Sequence, residues 1–215
     1  MFHYKTDYSL YLVTDSAMLH GITLEEAVEQ AVVGGVTVVQ LREKNSSSLQ
    51  FYKTAVKVKE VTDRHKIPLI INDRLDIALS VDAAGVHLGQ RDLPCKPARS
   101  ILGKDKIIGV SAATLEEAIA AQEDGADYIG AGALFSTETK TDIRNLSIER
   151  LKEIAGNLNI PVIAIGGINS ENAALLKGTG IRGIAVASGI LAQSDIKNAA
   201  RSLRNIVSSF RCVTT

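Results

Sequence analysis

Residues 36–74 read VTVVQLREKNSSSLQFYKTAVKVKEVTDRHKIPLIINDR, and the fold follows from how this stretch is punctuated. It opens on a β-branched apolar run, residues 36–41, that empties into Arg42-Glu43-Lys44. An amphipathic segment, residues 48–65, then spaces Phe51, Ala55, Val58 and Val61 for one helical face. A second apolar run, residues 68–71, empties into Asn72-Asp73-Arg74. Short runs with no polar alternation fit strands covered on both faces, as in a parallel sheet, and the helix between them is the crossover that parallel strands need.

Outward from this unit the pattern repeats. Apolar runs fall at residues 9–14, 36–41, 68–71, 85–88, 106–110, 128–130, 161–165 and 181–186. Helices are expected after them at about 22–33, 48–65, 75–81, 97–102, 114–122, 147–158, 169–176 and 195–209. Thr23 with Glu26, and Thr114 with Glu117, have the spacing of capping boxes. Eight strand–helix units predict a (β/α)8 barrel, one domain over residues 1–215. A doubly wound open sheet would want a glycine-rich turn after the first strand, and Thr14-Asp15-Ser16 offers none.

Composition excludes several functional classes. Lys+Arg 24 balances Asp+Glu 24, so no basic excess points to nucleic acid or an anionic membrane, and any anion site has to be local. Cys95 and Cys212 lie far apart with no CxxC spacing, which disfavours a zinc site or a disulfide. No signal-peptide pattern opens the chain and no apolar run reaches the roughly 18 residues of a membrane span. The expectation is a soluble, cytoplasmic protein; whether it forms a homo-oligomer is open.

In a barrel of this kind the active site forms at the carboxyl ends of the strands. The chemistry-bearing residues collect at those exits: Gln40, Arg42 and Lys44 at the second, Asn72 and Asp73 at the third, Gln90 and Asp92 at the fourth, Ser111 at the fifth. The sixth run breaks into the loop of residues 127–142, DYIGAGALFSTETKTD, where Thr137, Thr139 and Lys140 offer hydroxyls and a cation suited to phosphate oxygens. Gly166-Gly167 and Ala187-Ser188-Gly189 close the last two strands, where barrels often hold phosphate on backbone N–H groups. Arg42, Lys44 and Lys140 are more positive charge than one phosphate monoester needs and suit a pyrophosphate. Asp73 and Asp92 suit Mg²⁺, which takes one or two carboxylates together with phosphate oxygens and water. A metal-bound pyrophosphate beside a second phosphate reads as a transferase. His87, inside the fourth strand, is expected to be structural, and Tyr128 to pack.

The motifs Gln40-Leu41-Arg42-Glu43-Lys44, Asn72-Asp73, Gly85-Val86-His87-Leu88-Gly89-Gln90 with Asp92, Gly109-Val110-Ser111, Thr137-Glu138-Thr139-Lys140 and Ile165-Gly166-Gly167-Ile168 together resemble the thiamine phosphate synthases, in order over residues 10–190. The resemblance implies a (β/α)8 barrel that joins pyrimidine methyl pyrophosphate, 4-amino-2-methyl-5-(diphosphooxymethyl)pyrimidine, to thiazole phosphate. Thiamine phosphate and pyrophosphate would be the products, formed by a dissociative, carbocation-like substitution. It implies that Gln40, Arg42, Lys44, Asn72, Ser111 and Lys140 hold the pyrimidine pyrophosphate, with Arg42, Lys44, Lys140 and Ser111 acting in catalysis. Asp73 and Asp92 would bind Mg²⁺. Thr137, Thr139, Gly167, Ala187 and Ser188 would hold the thiazole phosphate, and Leu41, Glu43, Glu138 and Gly166 belong to the same substrate-binding motifs. Where relatives often have histidine two residues after the serine this chain has Ala113, and in the sixth loop it has Ala133 and Ser136 in place of prolines. A thiazole tautomerase on the same fold is the nearest rival; it would need no metal–pyrophosphate half. A non-catalytic barrel that senses a phosphorylated metabolite is a second rival, and it would not need two anion sites.

Overall fold

The computed structural model describes residues 6–19, 21–135 and 146–211. Eight parallel strands, β1 (Leu10–Val13), β2 (Val38–Leu41), β3 (Leu69–Asn72), β4 (Gly85–Leu88), β5 (Ile107–Ala112), β6 (Tyr128–Ala131), β7 (Val162–Ile165) and β8 (Gly183–Val186), pair in chain order, and β8 returns to β1 to close a barrel. The expected (β/α)8 architecture is the observed one. Its helices are α1 (Leu24–Val33), α2 (Ser48–Arg64), α3 (Leu75–Ser80), α4 (Cys95–Leu102), α5 (Leu115–Glu123), α6 (Ile148–Asn157), α7 (Ser188–Leu191) and α8 (Ile196–Ser208).

Local chemistry sets the helix starts. Thr23 accepts from the Glu26 N–H while the Glu26 carboxylate accepts from the Thr23 N–H, so the first capping box is complete. At α5 only half of the expected box forms. Thr114 accepts from the Glu117 N–H, but the Glu117 carboxylate reaches one residue further back and takes the Ala113 N–H at 2.7 Å. The helix expected over 169–176 is a correction: only Ala173–Leu176 is helical, as a 3₁₀ turn. The Asn169 side chain accepts from the N–H groups of Glu171 and Asn172, and this local competition for backbone donors displaces a helix start. The readings of Gln40, Asn72 and Ser111 as strand exits also shift, since all three lie within their strands.

Two apolar layers result. A large outer cluster packs the outward faces of the strands against the helices, for example Leu41, Ile71 and Val86 against Phe51, Ala55 and Val58. Inside the barrel a small cluster of Tyr8, Tyr11, Val13, Val38, Ile70, Tyr128, Ile163 and Ala185 fills the lumen. Strand alternation makes this division, with every second residue pointing inward. The inward rows follow the register: Val13–Gln40–Ile70–Gly85, Asn72–His87–Gly109–Tyr128 and Ser111–Gly130–Ile163–Gly183. The upper lumen is therefore polar and partly bare.

An ion pair ties α8 to the segment before β1: Arg204 Nη2 lies 3.0 Å from Asp7 Oδ2. Burial acts to raise the Asp7 carboxyl, but hydrogen bonds from the Ser9 hydroxyl and amide and the Arg204 guanidinium outweigh it and hold it at about 2, below its ordinary 3.8. Because the folded-state value is the lower one, this carboxylate stabilises the fold above pH ~4 and the contribution disappears as pH falls toward 2. The full shift would correspond to about 2.4 kcal/mol, and solvent screening of this half-exposed pair reduces it to about 1 kcal/mol. Asp7→Asn is expected to lower the urea midpoint at pH 7 and to leave it unchanged at pH 2. An equal loss at both pH values would mean that charge plays no part.

Candidate active site

The carboxyl ends of the strands surround two adjoining cavities. The central one, about 170 Å³, has Gln40, Asn72, His87 and Ser111 among its floor residues, and its walls include Asp15, Arg42, Gly166, Gly167, Ala187 and Ser188. The second, about 210 Å³, is lined by Glu43, Lys44, Ser46, Phe51, Asn72, Asp73 and Arg74. Asn72 borders both. Of the residues singled out by sequence, the Leu41 side chain lies in the strand–helix layer and does not face the mouth. Thr137, Glu138, Thr139 and Lys140 lie outside the described residues, as does Ser136.

The second cavity carries the charge. Asp73 follows β3 with φ +63°, a left-handed backbone that Asp tolerates better than most residues, and its N–H donates to the His87 carbonyl at 2.9 Å. It does not cap α3; Arg74 occupies that position without a side-chain cap bond. Nor does Asp92 cap α4, whose cap position is held by Pro94; Asp92 Oδ2 instead accepts from the Gly89 N–H at 2.7 Å. Burial first and the adjoining Asp92 carboxylate second push the Asp73 carboxyl up, against the pull of Lys44 and Arg42, and hold it at about 6. Two like-charged oxygen donors held together against their repulsion are a fit for a small divalent cation. Among the described residues no cluster of three or more His, Cys, Asp or Glu forms a complete metal cage. Among the described residues a cation here would meet the carboxylates of Asp73 and Asp92, a set that leaves coordination positions for phosphate oxygens and water.

Arg42 is already oriented. Its Nη1 lies 3.2 Å from Asp15 Oδ2, and its backbone N–H donates to the Thr14 hydroxyl. Glu43 accepts from Ser16 and from Ser46, so the β1 exit braces the β2 exit. Asp15 was legible by the same strand-exit criterion that found Arg42, since it too follows an apolar run directly. On the opposite wall, Gly166 and Gly167 have φ +105° and +63°. Asn172 Nδ2 donates to the Gly167 carbonyl at 2.8 Å and pins this loop.

The floor holds what the sequence hid. Gln40 Nε2 donates to the Tyr11 hydroxyl at 3.1 Å, and the Tyr11 and Tyr128 hydroxyls are 2.7 Å apart. The Tyr128 hydroxyl is 2.9 Å from His87 Nδ1, and His87 Nε2 is 2.9 Å from Ser111 Oγ. Tyr128 therefore does more than pack, and His87 joins the lumen to the mouth. Burial pushes the Tyr11 and Tyr128 hydroxyls well above the ordinary tyrosine range, so both stay protonated.

Comparison with known proteins is consistent over most of the chain. The model of a family described as thiamine monophosphate synthase matches residues 10–190. The thiamine-phosphate synthase of Ruminiclostridium cellulolyticum is 61% identical over 202 residues, covering 94% of this chain and 96% of that protein. That of Clostridium beijerinckii is 55% identical over 201 residues, again 94% and 96%. Among solved structures, a thiamine phosphate pyrophosphorylase from Pyrococcus furiosus superimposes with a TM-score of 0.89 at 38% identity, covering 96% of this chain and 98% of that one.

Proposed function

This chain belongs to the thiamine monophosphate synthase family, and from that premise we propose that it is a transferase joining a pyrimidine methyl pyrophosphate to a thiazole phosphate. The observation that carries the reading is the pairing of Asp73 with Asp92 next to Lys44 and Arg42, beside a floor of neutral hydrogen-bonding groups. The charged half suits a pyrophosphate leaving group, and the floor suits a heteroaromatic ring.

In the proposed reaction the bond between the pyrimidine methylene carbon and the bridging oxygen breaks, and its electron pair leaves with the pyrophosphate. The thiazole ring nitrogen then gives its lone pair to the methylene carbon, forming the new carbon–nitrogen bond. The nucleophile arrives without a proton to remove, so no serine–histidine or cysteine–histidine pair is required. A magnesium ion on Asp73 and Asp92 would supply positive charge to the leaving pyrophosphate. Arg42 and Lys44 oppose the charge that develops on the pyrophosphate oxygens, as does Lys140 in the proposed set. Asp15 keeps the Arg42 guanidinium in place. Gln40 and Asn72 orient the pyrimidine half, and Ser111 donates toward the leaving pyrophosphate; Gly166, Gly167, Ala187 and Ser188, with Thr137 and Thr139, hold the thiazole phosphate. Fixing both phosphates aligns the reacting atoms, which supplies much of the rate.

The test is an end-point assay of the purified protein with both substrates and Mg²⁺, scoring thiamine phosphate and released pyrophosphate. Product that disappears with EDTA is the expected result. No product from well-folded protein would overturn the synthase reading and favour isomerisation of the thiazole phosphate alone. Among the described residues no helix is long and apolar enough to cross a membrane.

A further inference from the structure

Five side chains on five different strands form one hydrogen-bonded chain through the lumen: Gln40 on β2, Tyr11 on β1, Tyr128 on β6, His87 on β4 and Ser111 on β5. His87 and Tyr128 are not on neighbouring strands. Between them in register stands Gly109 of β5, paired with both. A methyl group at Gly109 would collide with the Tyr128 ring and hydroxyl, so the missing side chain is what lets the Tyr128 hydroxyl lie across β5 to reach His87. Gly130 does the same service on β6, where a methyl group would stand 3.1 Å from His87 Cε1. The His87 and Tyr128 rings lie 5.5 Å apart, tilted by 31°, with Tyr8 packed on Tyr128 at 5.0 Å from the other direction. The two glycines and the three rings describe a built arrangement.

Counting protons gives the chain a direction. The Gln40 amide nitrogen can only donate, so the Tyr11 oxygen accepts from it. Tyr11 has one proton, and the Tyr128 oxygen is the acceptor within reach. Tyr128 then spends its own proton on His87 Nδ1. Any other assignment among these groups strands a hydroxyl proton inside the barrel. With Nδ1 accepting from Tyr128, the ring proton sits on Nε2 and is donated to Ser111 Oγ. The Ser111 oxygen is then occupied as an acceptor on the His87 side, and Ser111 lines the central cavity.

We infer that Tyr128 is a positioning residue: acting through His87, it turns the Ser111 hydroxyl into a fixed donor toward the anion held at the mouth. The kinetic half of this inference rests on the proposed role of Ser111 at the pyrophosphate, while the proton direction rests on the lumen alone. A ligand oxygen arriving at Ser111 then meets a proton already aimed, without rotor entropy to lose.

Nitrogen-15 NMR of the histidine-labelled, ligand-free protein reads the direction first and needs no variant. His87 is expected as the Nε2–H tautomer. An Nδ1–H tautomer overturns the inference whatever reaction the protein performs. Tyr128→Phe is then expected to release the tautomer and to lower kcat by roughly 10- to 100-fold with the KM for thiazole phosphate unchanged. Ser111→Ala combined with Tyr128→Phe is expected to be no slower than Ser111→Ala alone. Additive losses in the double variant would make Tyr128 merely structural and overturn the inference, as would an unchanged tautomer in Tyr128→Phe. Absence of activity in the parent protein, with the Nε2–H tautomer present, would fail the proposed function and leave the proton direction standing.

Discussion

Asp92→Asn is expected to lower turnover by about 100- to 1,000-fold without lowering the melting temperature of the metal-free protein. The asparagine carbonyl can still accept from the Gly89 N–H, so the loop after β4 keeps its anchor. The negative charge that faces Asp73 is what disappears. In the metal-free protein that charge is a burden: it helps hold the Asp73 carboxyl at about 6, above its ordinary 3.8. A carboxyl raised on folding costs stability as pH rises from ~4 through ~6, and the cost is fully present above that. Removing Asp92's charge therefore leaves stability at pH 8 unchanged or slightly higher, while a divalent ion loses one of its two proposed carboxylates. Opposite signs on stability and activity mark a group kept for chemistry. Turnover within about threefold of the parent at limiting Mg²⁺ would remove Asp92 from the metal site. A lowered melting temperature with lost activity would make it structural.

The barrel was legible because its evidence is periodic. Each strand is a short run of β-branched and aliphatic residues covered on both faces, and the shared form of residues 36–41 and 68–71 with a helix between them is enough to set the repeat. What failed was local. Residues 169–176 have helical composition, yet two asparagines take backbone donors for themselves and leave only a 3₁₀ turn. The carboxylate at Glu117 has the right spacing for a box and chose the neighbouring N–H.

The rim of the site was legible for a similar reason. Charged residues directly after apolar runs have nowhere to go in a barrel except the mouth, so Arg42, Lys44, Asp73 and Asp92 could be placed together before any geometry. The floor was not. Tyr11, Gln40, His87 and Tyr128 belong to four strands, and nothing in their spacing along the chain says that their polar atoms meet. Their signal is two-dimensional: inward glycines at 109 and 130 beside inward rings at 87 and 128, visible only once the register is known.

That register makes Gly109→Ala a strongly damaging small substitution in the polar part of the lumen. The added methyl points into the Tyr128 ring, which is 1% exposed and packed between Tyr8, Tyr11 and His87, so the ring has no free volume to enter. Gly109 is not held in a left-handed backbone, so the penalty is overpacking alone, with alanine's lower chain entropy acting in the other direction. The expected cost is about 3 kcal/mol, at the upper end for overpacking, or roughly 6–12 °C in melting temperature for a domain of this size. Tyr128→Leu removes the two ring carbons and the hydroxyl that meet the methyl, so Gly109→Ala is expected to cost less than about 1 kcal/mol in that background. Thermal unfolding of the four proteins of this cycle measures the coupling. Equal costs of Gly109→Ala in both backgrounds would mean that the bare position on β5 serves the backbone and not the tyrosine. Strong coupling would tie one hydrogen atom on β5 to the reach of Tyr128 toward His87, and through it to the Ser111 hydroxyl at the mouth.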